Sequence, residues 1–278
     1  MPQTLQQRMK SYETAYSSAV VLPKLPVVVK LDLRSFAKVS KNAEKPFDKS
    51  VATILGQTLF RTVQQIEGAV FGFQYSDKII IVIKNDQSIE TEPWFGNNIQ
   101  KISSTISSIA TYEFLNFFWQ MENPPNLDGS ITFSAMTFGV PSVTECINYV
   151  INTQFKCINN SVNEAAVHTL QPIYGPDTAQ HLESRNINER QIIISDNSQG
   201  SKMEDYPTAF RYGIAAYIVP YLTESKNMKN GIDSITTQIP KQKWILNFNA
   251  PDFSKDRSFI TNILKTGSDI FRIHNQPK

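Results

Sequence analysis

The segment Val27-Val28-Val29-Lys30-Leu31 constrains this chain more than any other. A run dominated by β-branched residues favours the extended backbone and reads as a strand buried on both faces. Layers must therefore cover it on both sides. The run ends at Asp32. Lys45-Pro46-Phe47-Asp48 then introduces a helix, with Asp48 at the N-cap position and Val51, Ile54, Leu55, Leu59 and Val63 at helical spacing. Residues 69–75 and 79–83 read as the strands of a hairpin, with Asp77 at its tip or at the start of the return strand. Ile99, Ile102, Ile106 and Ile109 mark another helix, backed by serines. Pro124-Pro125 and Asp128-Gly129 break the chain. Residues 131–140 read as a fourth strand. Ser142, with Glu145 three residues later, starts a long helix through Ala166. The order β-α-β-β-α-β, followed by a helix, is the ferredoxin-like arrangement within a mixed α/β (α+β) chain. Residues 4–15 read as a separate polar helix, and 168–278 as a less periodic extension with a polar loop within 186–207.

Composition narrows the function classes. With 278 residues there is room for one or two domains and a sizeable core. Lys plus Arg number 27 against 25 Asp plus Glu, a balance that neither demands nor excludes a nucleic-acid partner. Cys146 and Cys157 lie on one expected helix, roughly 16 Å apart at 1.5 Å per residue, too far to bridge within it. With three histidines they give no zinc spacing. No apolar h-region opens the chain and no run reaches membrane-spanning length, so a soluble, cytoplasmic protein without a membrane partner is expected. Gly72, Gly96 and Gly139 form no phosphate-loop spacing.

Asp32 and Asp77 are the most informative polar pair. In a ferredoxin-like sheet the strands that carry them can be neighbours, so the carboxylates can meet at one edge. Two carboxylates beside a nucleoside triphosphate are what magnesium ions need. On periodicity alone, both also read as ordinary turn aspartates.

The chain resembles the tRNA-His guanylyltransferase family, especially its bacterial-type, tRNA-repairing members. The resemblance rests on Gln7-Arg8-Met9-Lys10-Ser11-Tyr12-Glu13, on Leu25-Pro26 through Asp32-Leu33-Arg34-Ser35-Phe36, on Lys45-Pro46-Phe47-Asp48 and on Gln74-Tyr75-Ser76-Asp77. It continues in Trp94-Phe95-Gly96, Lys101, Asn148-Tyr149, Gln154, Asn160, Tyr206-Pro207-Thr208 and Arg211-Tyr212-Gly213. It implies a polymerase-like palm over residues 20–167, preceded by the N-terminal helix within 1–19 and completed by a helical or irregular extension over 168–278. It implies 3′-to-5′ addition of nucleotides to the 5′ end of tRNA or a tRNA-like RNA, with ATP, GTP or other nucleoside triphosphates as substrates. Asp32, Asp77 and the backbone carbonyl of Leu33 would hold two Mg²⁺ ions. Arg34, Ser35, Phe36, Lys45, Asp48, Ser76, Lys101 and Asn160 would bind nucleotide, and Gln154 the RNA. The family also implies a homotetramer. Lys226 and Lys229, in a lysine-bearing stretch, are candidates for following an RNA backbone, or form a solvated face.

The chain departs from the family at telling places. Leu33 replaces a glycine and is expected to crowd the metal site, and Lys78 replaces an acid beside a metal ligand. Ser134 and Met136 stand where the family has an aspartate and an arginine, and Ile158 where eukaryotic members have a histidine. Three functions follow: an active reverse-direction nucleotidyltransferase, a catalytically weakened RNA- or nucleotide-binding relative, or a palm enzyme such as a cyclase that acts without tRNA.

Overall fold

The computed structural model describes residues 4–15, 19–121, 131–197, 202–227 and 235–269, with the side chains of 222, 224–227, 235–240 and 266–269 left aside. Its elements are α1 (Leu5–Ala15), β1 (Val27–Leu33), α2 (Phe36–Val39), α3 (Lys49–Gln64), β2 (Ala69–Tyr75), β3 (Lys78–Ile83), α4 (Ile99–Phe118), β4 (Phe133–Gly139), α5 (Val143–Tyr174), α6 (Thr178–Glu183), α7 (Ile187–Asn197), α8 (Thr208–Tyr212), β5 (Ile214–Asn227), β6 (Ile235–Asn247) and α9 (Arg257–Asp269). The expected break at 124–129 lies outside the described residues.

The described strands form one antiparallel sheet in the order β4-β1-β3-β2-β5-β6. The first four are the ferredoxin-like palm. Strand alternation sorts the side chains of β1. Val27, Val29, Leu31 and Leu33 enter a core with α3 and α4, which contribute Leu55, Leu59, Ile102 and Ile106. Val28 enters the opposite core with α5 and α9, which contribute Val150, Ile260 and Leu264. Lys30 and Asp32 follow Val28 at two-residue spacing, so they share the α5 face.

The extension is more than helical or irregular. β5 pairs with β2 from Ile214 to Tyr217, and the β5–β6 ladder runs on to Asn227 opposite Ile235. The boundary expected at 167 falls inside α5, whose second half joins α6, α7 and Met203 in a third cluster around Val162, Ala165, Leu170, Leu182 and Ile194. Within 186–207, where a polar loop is expected, Ile187–Asn197 form α7, and 198–201 lie outside the described residues.

Gly213 links α8 to β5 at φ +80°, and a Cβ there would stand 2.5 Å from the Phe73 ring and 2.8 Å from the carbonyl of Gln74. Strained backbone and overpacking coincide, each costing about 1–2 kcal/mol or more. Gly213→Ala should therefore lower the melting temperature by about 5–10 °C in thermal denaturation followed by circular dichroism.

Candidate active site

Two carboxylates meet at one end of the palm. Asp32 lies directly opposite Lys78 in the β1–β3 register, and Ser76-Asp77 is the two-residue turn between β2 and β3. Ser76 takes φ 48°, the left-handed geometry that short hairpin turns require. The Leu33 N–H donates to the Asp77 carbonyl at 2.8 Å, which ties the turn to the end of β1. Lys78 Nζ lies 2.9 Å from Asp32 Oδ1 and 3.1 Å from Asp77 Oδ1. Lys30 Nζ reaches the other oxygen of Asp32 at 3.0 Å.

These contacts decide the charge states. Burial raises the Asp32 pKa, but hydrogen bonds from Lys78 and Lys30 outweigh it and hold the carboxyl below the usual 3.8. Burial likewise depresses Lys78, and its bonds to Asp32 and Asp77 reverse this, so its ammonium ionises above the usual 10.5. The Asp32 contribution to stability is complete above about pH 3.8 and is lost as pH falls through the depressed value. That of Lys78 is complete below about pH 10.5 and is lost as pH rises through the raised value. Both groups are charged at neutral pH.

The departures from the family resolve physically. Leu33 does not crowd the carboxylates, because its side chain points one residue out of phase into the α3–α4 core. Lys78 turns inward onto the pair. From β4, Ser134 stands opposite Asp32 and Met136 opposite Lys30, both exposed, so this edge adds no charge. Tyr149 of α5 is near enough to feel Asp32, though burial is the main reason its pKa is raised.

A cavity of about 320 Å³ adjoins the pair through Ser76. It brings together Phe36, Lys45, Asp48, Ser76 and Asn160 from four separate stretches of chain. Asp48 caps α3, with Oδ1 accepting from the Ser50 and Val51 N–H groups and Oδ2 from that of Glu44. Phe47 and Phe210, with ring centroids 5.5 Å apart, also line the cavity, as does Glu164. Residue types alone did not single these out, although Phe47 lies within the Lys-Pro-Phe-Asp stretch and Phe210 beside Thr208.

Other expected residues lie elsewhere. Arg34 and Ser35 are exposed in the turn after β1, outside the cavity lining. Lys101 is exposed on the first turn of α4, on the layer opposite Asp32. It also lies toward the end of α4 remote from the carboxylates: Ser103 bonds Thr137, opposite Val29, whereas eight residues further along Thr111 meets Phe133, opposite Leu33. Gln154 does not face an RNA surface. It is 1% exposed, and its amide donates to the carbonyls of Tyr212 at 3.0 Å and Pro251 at 2.8 Å and accepts from the Phe253 N–H at 2.6 Å. Lys226 lies on the β5–β6 ladder opposite Thr236; its side chain and the whole of Lys229 are outside the described residues.

The carboxylate pair fits a hard divalent cation. Its two side chains already converge on one point cation, the Lys78 ammonium, and Mg²⁺ takes one or two carboxylates plus phosphate and water oxygens. No group of three His, Cys, Asp or Glu occurs among the described residues, so further ligands must come from backbone, water or phosphate. No described helix is long and apolar enough to cross a membrane.

Fold and site together define a ferredoxin-like palm with a carboxylate pair at the sheet end and a cavity beside it. Residues 6–141 match the family model described as tRNAHis guanylyltransferase. A bacterial tRNA(His) guanylyltransferase-like protein solved with ATP is 26% identical, with a TM-score of 0.75 over 94% of this chain and 99% of that one. The structure of a bacterial protein of the same description with GTP is 25% identical, with a TM-score of 0.66 over the same shares. The tRNA(His) guanylyltransferase of Saccharomyces cerevisiae, 18% identical over 74% of this chain and 90% of its own, shares the fold with a TM-score of 0.65. No curated protein matches the chain in sequence.

Proposed function

We propose that the chain is a 3′-to-5′ nucleotidyltransferase that adds nucleotides to the 5′ end of tRNA or a tRNA-like RNA, in the manner of tRNA 5′-end repair. One observation carries the reading: Phe36, Lys45, Asp48, Ser76 and Asn160 line a single cavity, and the residue after Ser76 is a member of the carboxylate pair. The family match and the ATP- and GTP-bound bacterial relatives support it.

In this reading a nucleoside triphosphate enters the cavity with its base against Phe36, Phe47 or Phe210. Lys45 offers a point charge to phosphate, and Ser76 and Asn160 offer neutral donors. Asp32 and Asp77 would hold Mg²⁺, two ions by family likeness, which when bound supply charge for the attacking oxygen and the leaving pyrophosphate. The incoming 3′-hydroxyl attacks the 5′ phosphorus of the RNA, which carries a triphosphate or is first activated by ATP. A bond from the 3′ oxygen to phosphorus forms, the bond to the pyrophosphate or AMP leaving group breaks, and the hydroxyl proton passes to solvent. Lys226 and Lys229 remain candidates for the RNA backbone. A homotetramer and a cytoplasmic setting complete the proposal by family likeness.

The test is extension of tRNA transcripts lacking their first nucleotide, with Mg²⁺, ATP and labelled nucleotides. Growth at the 5′ end by the wild type and not by Asp77→Ala is the expected result. Product from nucleotides alone would identify a tRNA-independent palm enzyme. RNA binding that survives Asp77→Ala without any product would identify a binding relative.

A further inference from the structure

Lys78 holds the position between the two carboxylates that a metal ion would share. It sits opposite Asp32 on the adjacent strand, on the same face, where cross-strand side chains meet. Its ammonium makes charge-assisted bonds to Asp32 at 2.9 Å and to both oxygens of Asp77 at 3.1 and 3.2 Å. Lys30 satisfies the remaining oxygen of Asp32. Two formal negative charges thus face two positive ones, and Ser134 and Met136 of β4 add none. A free divalent ion entering here must displace an ammonium already bonded to both of its ligands, and meets no net negative charge. A triphosphate changes that balance, because it offers the ammonium another anion, and the four-carbon lysine stem can swing to it.

We propose that Lys78 is a tethered cation that keeps free metal off Asp32 and Asp77 until a metal–nucleoside triphosphate complex enters, whereupon its ammonium moves to the phosphates. Metal and triphosphate then bind with strong positive coupling, which must be reciprocal. Lys78 is a positioning residue in this scheme, and the inference rests on the carboxylate pair being the metal site.

The experiment measures Mn²⁺ binding to the full chain without nucleotide, by electron paramagnetic resonance of the free ion. Lys78→Met should bind Mn²⁺ about tenfold or more tightly than wild type, the size of effect that groups surrounding metal ligands exert. Lys78→Glu should bind it more tightly still, whereas Lys78→Arg, which keeps the charge, should stay near wild type. Mg²⁺-dependent ATP affinity should change the other way and weaken in Lys78→Met. Adding Asp32→Asn to Lys78→Met should remove the gain in Mn²⁺ affinity. Equal Mn²⁺ affinities for wild type, Lys78→Met and Lys78→Glu, with Asp32→Asn still lowering them, would overturn the tethered cation and leave the metal site standing. Mn²⁺ binding indifferent to Asp32→Asn in every background would overturn the carboxylate reading and this inference with it.

Discussion

Asp32→Asn should lower the rate of 5′ extension by at least about a thousandfold while the fold survives. Metal-assisted phosphoryl transfer draws several kcal/mol from the charge held at the reacting oxygens, and about 4 kcal/mol is a factor of a thousand. Asparagine keeps the shape of aspartate and loses the anion. In this chain it also leaves Lys30 without its carboxylate and Lys78 with Asp77 alone. The local formal charge then moves from zero to plus one, which disfavours a metal ion and favours a bare triphosphate. The expected signature is a collapse in turnover with metal-free ATP affinity retained or tightened. Asp32 is about one-third exposed, so its ion pairs add little to stability and the melting temperature should move by no more than a few degrees. Normal turnover in a folded Asp32→Asn protein would remove this carboxylate from the chemistry.

The palm was readable because its signals are periodic. Val27 to Leu33 alternates so that four apolar residues face one helical layer, and the two residues after Val28 on the other face are charged. The encounter of Asp32 with Asp77 followed from topology, since β1 and β3 adjoin in this arrangement. The direction of Lys78 did not follow. A long lysine can reach solvent or a neighbour, and only the register that sets it opposite Asp32 decides. The distance of Lys101 from the carboxylates did not follow either, for a related reason. Sequence likeness identifies a helix, but not which end of it lies near the carboxylates. β5 and β6 were hidden because β2 supports β5 over only four residues, Phe71–Gln74 against Ile214–Tyr217. Beyond these, Pro220 is tolerated on a strand paired on one side alone, so the usual strand pattern is broken.

Gln154→Leu should destabilise the fold severely. The side chain is sealed between α5, the end of α8 and the segment before α9, and its three hydrogen bonds all go to backbone groups. Leucine preserves the volume, so the loss isolates the polar part. It strands two carbonyls and one N–H in the interior, each costing about 1–3 kcal/mol when unpaired. A net loss of about 3–5 kcal/mol is a large share of the 5–15 kcal/mol that folded domains hold. The melting temperature should fall by about 10 °C or more. Gln154→Glu should not rescue it, because a carboxylate would face the two carbonyls that the amide now serves as donor. The helical stripe carries the sequence signal for this role: Cys146, Val150, Cys157 and Ser161 are buried, and position 154 falls among them at spacings of four and three. Normal stability with loss of RNA affinity in Gln154→Leu would instead return this residue to a surface that meets RNA.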